Sequence, residues 1–219
     1  MANIFSSSIG KKLVMSISGL FLMVFLLMHL SINFAAVVSE QAYNTACHFM
    51  DTNIFIQIMV PVLALGFFIH IVYASILTLH NRGARPVKYA KGSNAKASSW
   101  ASRNMFVLGA IVLGFLATHL SHFWAKMQLP HFLGQHGTEN PWLLVKITLE
   151  NPIWAAVYIV WFWALWFHLC HGFWSALQTL GTNNQKWIPR LQTVARIYAT
   201  MVAVGFTFIA LWFVLKLGA

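Results

Sequence analysis

Histidines are the residues of this sequence whose type and spacing best fit a chemical role. Ten occur among 219 residues, and each of four successive long apolar stretches contains at least one of them. An imidazole in hydrocarbon costs several kcal/mol unless something pairs with it. A haem iron takes two axial imidazoles from opposite faces, so two pairs of histidines in a membrane predict two non-covalent b-type haems. The four are His29, His70, His119 and His168.

Five apolar stretches must position these histidines, and each is long enough for the roughly 20 residues that a helix needs to cross a bilayer. The composition supports a membrane environment, because 59% of the residues are hydrophobic and only 8% are charged. Lipid offers no partner to an open strand edge, and these stretches lack the alternation of barrel strands. The sequence therefore predicts an all-α integral membrane protein in which the first four helices form a bundle around two stacked haems. It predicts one domain over 1–219, with spans near 13–38, 54–79, 105–125, 153–180 and 198–217.

The distribution of charge predicts the orientation of the spans. With the N-terminus inside, eleven of the 14 lysines and arginines fall in inner segments and three in outer ones, in agreement with the positive-inside rule. All four acidic residues fall outside, namely Glu40, Asp51, Glu139 and Glu150. The net charge of +10 then indicates topology and attraction to an anionic leaflet or an acidic partner. Nucleic-acid binding is not expected, because the basic residues lie on loops between spans.

The depth of each histidine predicts how the four are paired. His29 and His119 lie past the midpoints of spans that run outward, so both fall in the outer half of the membrane. His70 and His168 lie past the midpoints of spans that run inward, so both fall in the inner half. At a rise of 1.5 Å per residue, we expect the two levels to differ by roughly 10 Å.

Two of the four positions have a second histidine three residues later. His122 follows His119 and His171 follows His168, and positions i and i+3 share a helix face. Depth favours the first member of each pair, because His122 approaches the outer surface and His171 the inner end. Spacing alone leaves this choice open, and it assigns no role to His131 or His136.

Other chemistry finds little support in the sequence. There is no dinucleotide fingerprint, phosphate loop or cysteine cluster, so the chain is not expected to bind FAD, hold iron-sulfur centres or oxidise a substrate itself. Cys47 and Cys170 are predicted at different depths, too far apart for a disulfide. The first apolar stretch, about 26 residues, exceeds the 7 to 15 of a signal-peptide core, so we expect it to remain as a span.

Several segments resemble one family, the five-helix dihaem cytochrome b subunit of succinate:quinone and quinol:fumarate oxidoreductases. The resemblance covers nearly the whole chain. Its most specific parts are a histidine on each of the first four helices, a glycine ten residues before His29 and before His119, and a glycine thirteen residues after His168. The matching segments are GLFLMVFLLMHLSIN from Gly19, ACHFMD from Ala46, FFIHIVYA from Phe67, GAIVLGFLATHL from Gly109 and FHLCHGFWSALQTLG from Phe167.

The resemblance implies which residues bind the haems. His70 and His168 would hold a proximal haem near the cytoplasmic face, and His29 and His119 a distal haem, leaving His122 and His171 as neighbours. Gly19 and Gly109 fit this physically, because a helix without a side chain lets a flat macrocycle approach, although small residues also serve ordinary helix packing. The candidates for the haem propionates are Ser16, Arg103, Lys12 and His171.

The resemblance also implies partners and a location. A flavoprotein subunit and an iron-sulfur subunit would dock on the cytoplasmic face of a bacterial inner membrane, where the basic loop 80–100 is a plausible landing surface, and a higher oligomer stays open. Electrons would pass through both haems to or from a quinone, which we expect to be menaquinone. The outer end offers Asn33, His48 and Asp51 as candidate quinone contacts, because a quinone needs proton donors at its carbonyls. A solvated outer loop is the alternative for the last two.

Three other functions remain possible from the residues alone. The two H-x-x-H repeats raise a metal-dependent membrane oxygenase, although its carboxylates would be expected at the cytoplasmic ends of the helices. A second possibility is a non-catalytic anchor whose histidines bond one another. A third is a cytochrome b that serves a hydrogenase or formate dehydrogenase, against which only the family spacing argues. The sequence does not specify succinate oxidation or fumarate reduction.

Overall fold

The computed structural model describes residues 7–83 and 100–217, and within them the chain is built from helices. Long helices alternate with short ones, and a π-helical turn at Leu120–Trp124 continues α5 into α6. The helices are α1 (Ser8–Val38), α2 (Glu40–Thr52), α3 (Ile54–Gly83), α4 (Trp100–Arg103), α5 (Met105–His119), α6 (Ala125–Met127), α7 (Leu129–Phe132), α8 (Pro141–Glu150), α9 (Pro152–Thr179) and α10 (Trp187–Val214).

Five helical segments are long and apolar enough to cross a membrane, which confirms the predicted number of spans. They are Ser8–Val38, Ile54–Asn81, Met105–Met127, Pro152–Thr179 and Trp187–Val214. Two helices extend beyond the predicted spans, since the first helix begins at Ser8 rather than near 13 and the last at Trp187 rather than near 198. The physical reason is that hydropathy marks only the part of a helix in hydrocarbon, whereas polar and basic turns extend the helix into the interface.

Short polar breaks separate helices that follow one another closely. Ser39 adopts an extended backbone between α1 and α2, and its hydroxyl accepts a hydrogen bond from the Ala42 amide. The side chain of Asn53 accepts from the first amides of α3, and Asn151 does the same for α9. These caps satisfy amides that have no partner within their helix. The outer helices α2 and α8 that they delimit were not predicted from the sequence.

The long helices pack around one another in a fixed order. Helix α3 lies along α1, both α1 and α5 lie along α9, and α3 and α5 touch at few positions. Helix α10 packs against α9 and α1 and is the most buried span, since half of the residues in its most apolar stretch are buried. The Tyr198 hydroxyl of α10 donates to the Met23 carbonyl of α1 over 2.8 Å. The fifth span is therefore an integral part of the core.

Charge differs between the two ends of the bundle. We call the end at which α1 begins the inner end and the opposite end the outer end, following the predicted orientation. Glu40, Asp51 and Glu150 lie on α2 and α8 at the outer end, and Glu139 lies in the loop before α8. Lys11 and Lys12 lie in the first turns of α1 at the inner end. Most of the predicted landing loop, residues 84–99, lies outside the described residues.

Candidate functional site

Four histidines from four helices meet in two pairs inside the bundle. The ring centroids of His29 on α1 and His119 on α5 are 5.6 Å apart, with planes at 90°. Those of His70 on α3 and His168 on α9 are 6.3 Å apart, with planes at 72°. We call these the outer pair and the inner pair. The partners are those that the depth argument predicts.

Two glycines give the spacing of the pairs along the bundle. A Cβ on Gly19 of α1 would lie 3.2 Å from Cε1 of His70, and one on Gly109 of α5 would lie 3.8 Å from Cε1 of His168. Both glycines therefore stand at the level of the inner pair. Because His29 and His119 follow them by ten residues, the outer pair lies about 15 Å further along the helices. This separation exceeds the roughly 10 Å expected from the span midpoints. The positions of the helices relative to one another are set by the contacts between them, which the midpoints of the spans do not describe.

The π-helical turn separates the roles of His119 and His122. It begins directly after His119, whose ring faces His29, and it contains His122. The Nδ1 atom of His122 lies 3.1 Å from the Tyr158 hydroxyl, and its ring lies edge-on to Trp154 at 4.4 Å. A wider turn rotates His122 away from the face that His119 occupies. His122 therefore packs against α9 and His119 points into the pair.

His171 lies one turn inward of His168 and does not join the inner pair. Its ring contacts Trp174 at 5.2 Å, and its Nδ1 atom is buried without a hydrogen-bond partner among the described residues. The Ser16 hydroxyl, on α1, is likewise buried without a partner there. Buried polar atoms are normally satisfied, so both atoms call for an additional acceptor or donor at this level.

The surroundings of the two pairs differ. At the inner pair, the Ser18 hydroxyl lies 3.4 Å from Nδ1 of His70, which leaves Nε2 of that ring for another partner. The outer pair is enclosed by aromatic rings on four helices. These are Phe25, Phe115, Phe123, Tyr158 and Phe206, at 5.2 to 6.4 Å from His29 or His119. Phe206 was not predicted, because an apolar residue on a fifth span carries no signal of its contact.

The histidine pairs fit haem in three respects. Iron bonded to both rings at about 2 Å on each side would hold the centroids about 6 Å apart, close to both observed separations. The Nδ1 atoms of His119 and His168 are buried and form no hydrogen bond with a described residue. No protein hydrogen bond at Nδ1 therefore fixes the orientation of these two rings. No described group of three or more His, Cys, Asp or Glu side chains forms a metal centre. Two protein ligands per site suit a metal whose other ligands belong to a macrocycle.

The remaining predicted haem contacts lie at the level of the inner pair or closer to the inner end. Arg103 ends the short helix α4 and is exposed, and α4 packs against α9. Gly109 is partly buried against His168. The structure thus places Gly19 and Gly109 beside the inner pair and buries Ser16 three residues closer to the inner end of α1. Arg103 is exposed on α4 and lies outside the core of the bundle.

The candidate quinone residues are not equally placed. The Asn33 amide donates to the His29 main-chain carbonyl over 2.8 Å and lies 3.4 Å from Nε2 of the same residue. Asp51 accepts a hydrogen bond from Gln128 and lies 3.9 Å from Nε2 of His131. His48 is exposed on α2. Sequence reasoning missed Gln128 and His131, because they come from a segment about eighty positions further along the chain.

Helix α2 also buries a tyrosine and a cysteine. Tyr43 is 5% exposed and Cys47 is 2% exposed. Burial raises the pKa of the Cys47 thiol to about 11 and raises the pKa of Tyr43 as well. Both groups therefore stay neutral at ordinary pH. Their packing fixes α2 as a cover over the outer end.

Comparison with known proteins gives one informative similarity. The chain is 26% identical over 195 residues to the succinate dehydrogenase cytochrome b558 subunit of Bacillus subtilis strain 168, and the alignment covers 86% of each chain. No family model matches the chain. No solved structure matches it either.

Proposed function

We propose that the chain is the membrane-anchor cytochrome b subunit of a succinate:quinone oxidoreductase or quinol:fumarate reductase. The observation that carries the proposal is the two histidine pairs, each bridging two helices inside an apolar bundle and separated by about 15 Å of helix rise. The similarity to a succinate dehydrogenase cytochrome subunit supports the same function. Together these favour a single transmembrane domain that carries electrons between a soluble dehydrogenase and a membrane quinone.

The histidines would act as axial ligands of two b-type haems, which supply reversible one-electron carriers when bound. His70 and His168 would hold the proximal haem, and His29 and His119 the distal haem. The Ser18 hydroxyl fixes the His70 ring through Nδ1 and so directs Nε2 toward the pair. The aromatic rings around the outer pair exclude water from it.

The polar groups at the inner end would bind the haem propionates. Ser16 and His171 are the leading candidates, because each has a buried polar atom that lacks a partner among the described residues. Arg103 would add a positive charge at the membrane surface. Gly19 keeps α1 clear of the inner pair, because a Cβ there would lie 3.2 Å from Cε1 of His70.

Two soluble subunits would complete the enzyme. A flavoprotein subunit would hold the dicarboxylate site, and an iron-sulfur subunit would deliver electrons to the inner end of this chain or accept them from it. The basic residues predicted to face the cytoplasm of a bacterial inner membrane would attract the acidic surface of such a partner.

Menaquinone would bind at the outer end beside the outer pair. Asn33, His48 and Asp51 are the proposed contacts, and the Asp51 carboxylate would exchange protons with the outer side. Its hydrogen bond from Gln128 and its approach to His131 hold it at the border between the bundle and the exposed outer loop. These contacts would let the site bind the quinone carbonyls and move protons without crossing the membrane.

The H-x-x-H repeats supply matched variants that test the proposal. His168→Ala should reduce haem from two to one per chain, because it removes a ligand of the inner pair, whereas His171→Ala should retain two. His119→Ala and His122→Ala should behave in the same way at the outer pair. Haem per folded chain is measured by pyridine haemochrome assay, with size-exclusion chromatography as the folding control. A colourless wild-type preparation, or one haem per chain, would contradict the proposal.

The oxygenase alternative is disfavoured by the geometry of the described donors. An oxygenase site needs three or more histidine or carboxylate ligands around each metal, and the described histidines, cysteines and acidic residues form no such group. The carboxylates lie at the outer end, away from the inner pair. A sharp reduced α-band in the optical spectrum would distinguish bis-imidazole haem from a non-haem iron site.

A further inference from the structure

A small basic cavity lies between α1 and α3 at the inner end of the bundle. Its volume is about 80 Å³, of the order needed for one phosphate group. Polar and basic side chains line it from both helices, and two apolar side chains close its side toward the hydrocarbon. The lining residues are Ser8, Lys11, Lys12, Ile76, Leu77, His80 and Asn81.

Within residues 7–83 and 100–217, no carboxylate pairs with the two lysines of this cavity. Neither Lys11 nor Lys12 forms an ion pair with a described residue, and the two ion pairs present, His131 with Asp51 and Lys146 with Glu150, lie at the outer end. All four acidic residues of the sequence are on the outer helices or the loop beside them. An anion that binds both lysines would therefore come from another molecule.

The position of the cavity indicates which molecule supplies the anion. Ile76 lies about one helical turn from His80, on the side toward the hydrocarbon, and is 39% exposed. Leu79 on the same helix is 66% exposed. Acyl chains can cover these apolar surfaces while a headgroup phosphate reaches the lysines. Basic pockets between membrane helices on the cytoplasmic side bind anionic headgroups in this way.

We propose that the cavity between α1 and α3 binds the phosphate of an anionic phospholipid, with Lys11 and Lys12 as its cationic ligands. His80, Asn81 and Ser8 supply additional hydrogen-bond donors, and Ile76 contacts the first part of an acyl chain. This assignment uses none of the paired histidines or quinone contacts, and it gives Lys12, a candidate for the haem propionates, to the lipid phosphate instead. It gives the inner end of the chain a specific lipid contact in addition to a general preference for a negative leaflet.

The test measures lipid retention by the full chain, as extracted from its membrane with any bound subunits. Native mass spectrometry counts dioleoyl-phosphatidylglycerol molecules retained against dioleoyl-phosphatidylcholine. We expect wild-type protein to retain phosphatidylglycerol preferentially. Each lysine near a membrane surface contributes about a fivefold gain in binding, so the K11Q/K12Q double variant should bind about 30-fold more weakly.

A charge-matched variant controls for general electrostatics. K186Q/R190Q removes two positive charges at the inner end of α10, outside the cavity, and should keep phosphatidylglycerol retention near the wild-type level. The lysine-to-arginine variant K11R/K12R preserves charge and should also retain the lipid. Equal losses in K11Q/K12Q and K186Q/R190Q would overturn the proposal, because they would indicate a diffuse charge effect.

Further arms separate the sources of the anion. Inorganic phosphate at millimolar concentration should not displace the lipid, and complete displacement would assign the cavity to soluble phosphate. No lipid retention by wild-type protein with bound subunits would assign the lysines to an acidic partner surface. Loss of haem from K11Q/K12Q with unchanged lipid retention would assign them to haem carboxylates. Each of these three results would overturn the lipid assignment.

Discussion

Gly19 and Gly109 provide a paired test of how closely the inner histidines are packed. The two glycines occupy equivalent places, each ten residues before an outer-pair histidine and each facing an inner-pair histidine. A Cβ on Gly19 would lie 3.2 Å from Cε1 and 3.4 Å from Nδ1 of His70, whereas a Cβ on Gly109 would meet Cε1 of His168 at 3.8 Å. The first contact is too tight for a fixed ring and the second is ordinary van der Waals contact.

The expected effects follow from these distances. Replacing glycine by alanine inside a helix contributes up to about 1 kcal/mol of helix stability at either position. Gly109→Ala should therefore be neutral or slightly stabilising and leave haem properties unchanged. Gly19→Ala must shift the His70 ring by a few tenths of an ångström, against its contact with Ser18. It should keep two haems but alter the geometry of the inner pair.

The assay must detect a small change in imidazole orientation. The ring planes of the inner pair meet at 72°, and the low-spin ferric EPR signal of a bis-imidazole haem depends on this angle. We expect Gly19→Ala to move one of two EPR signals and Gly109→Ala to move neither. Gly19→Val adds a Cβ and two methyl groups that a small shift cannot accommodate, and overpacking of about 1–3 kcal/mol should bring haem toward one per chain.

Two results would refute this reasoning. If Gly109→Ala perturbs the EPR spectrum as much as Gly19→Ala, the difference in contact distance does not govern the inner site. If Gly19→Val retains two haems with unchanged signals, the Gly19 contact does not constrain His70. Circular dichroism of each variant in detergent checks that a lower haem content does not reflect general unfolding.

Two other predictions concern the outer end. In a Cys170→Ser background, alkylation of Cys47 by iodoacetamide should be over 100-fold slower at pH 8 than for an ordinary thiol, because burial raises its pKa to about 11. The alkylation rate should keep rising through pH 10, and a rate that levels off near pH 9 would be inconsistent with burial. Because the Cys47 thiol holds its proton more tightly in the folded state than in the unfolded state, α2 should become less stable as the pH rises. Asp51→Asn should lower quinone-linked turnover about 100-fold with haem content unchanged, because it removes the proposed proton acceptor. His48→Gln tests the exposed candidate in the same assay, and normal turnover in both variants would remove the quinone site from this end.

The sequence predicted the features that vary along the membrane normal. Hydropathy gave five spans, and counting residues along them placed His29 with His119 and His70 with His168. These predictions succeed because the bilayer imposes a sharp change of environment at each helix end. Depth is therefore readable even where a helix extends several residues beyond the predicted span, as at Ser8 and Trp187.

Features that vary around each helix were not predictable. In a membrane bundle both the lipid and the core are apolar, so hydrophobic periodicity does not mark the inward face. Hence Phe206 of α10 gave no sign of its contact with His29, and the hydrogen bond between His122 and Tyr158 was not anticipated. The π-helical turn that orients His122 depends on packing against α9, which a local sequence pattern does not encode.

The two halves of the inner pair share one layout without a detectable sequence repeat. Gly19 on α1 faces His70 on α3, and Gly109 on α5 faces His168 on α9, so each half consists of an outward helix with a glycine and an inward helix with a histidine. The two contacts differ in closeness, since a Cβ would be crowded against the ring on the Gly19 side and in ordinary contact on the Gly109 side. Ten residues further along, α1 and α5 supply the outer pair themselves. A displacement of either helix would therefore change both pairs together, whereas a displacement of α3 or α9 would change mainly the inner pair.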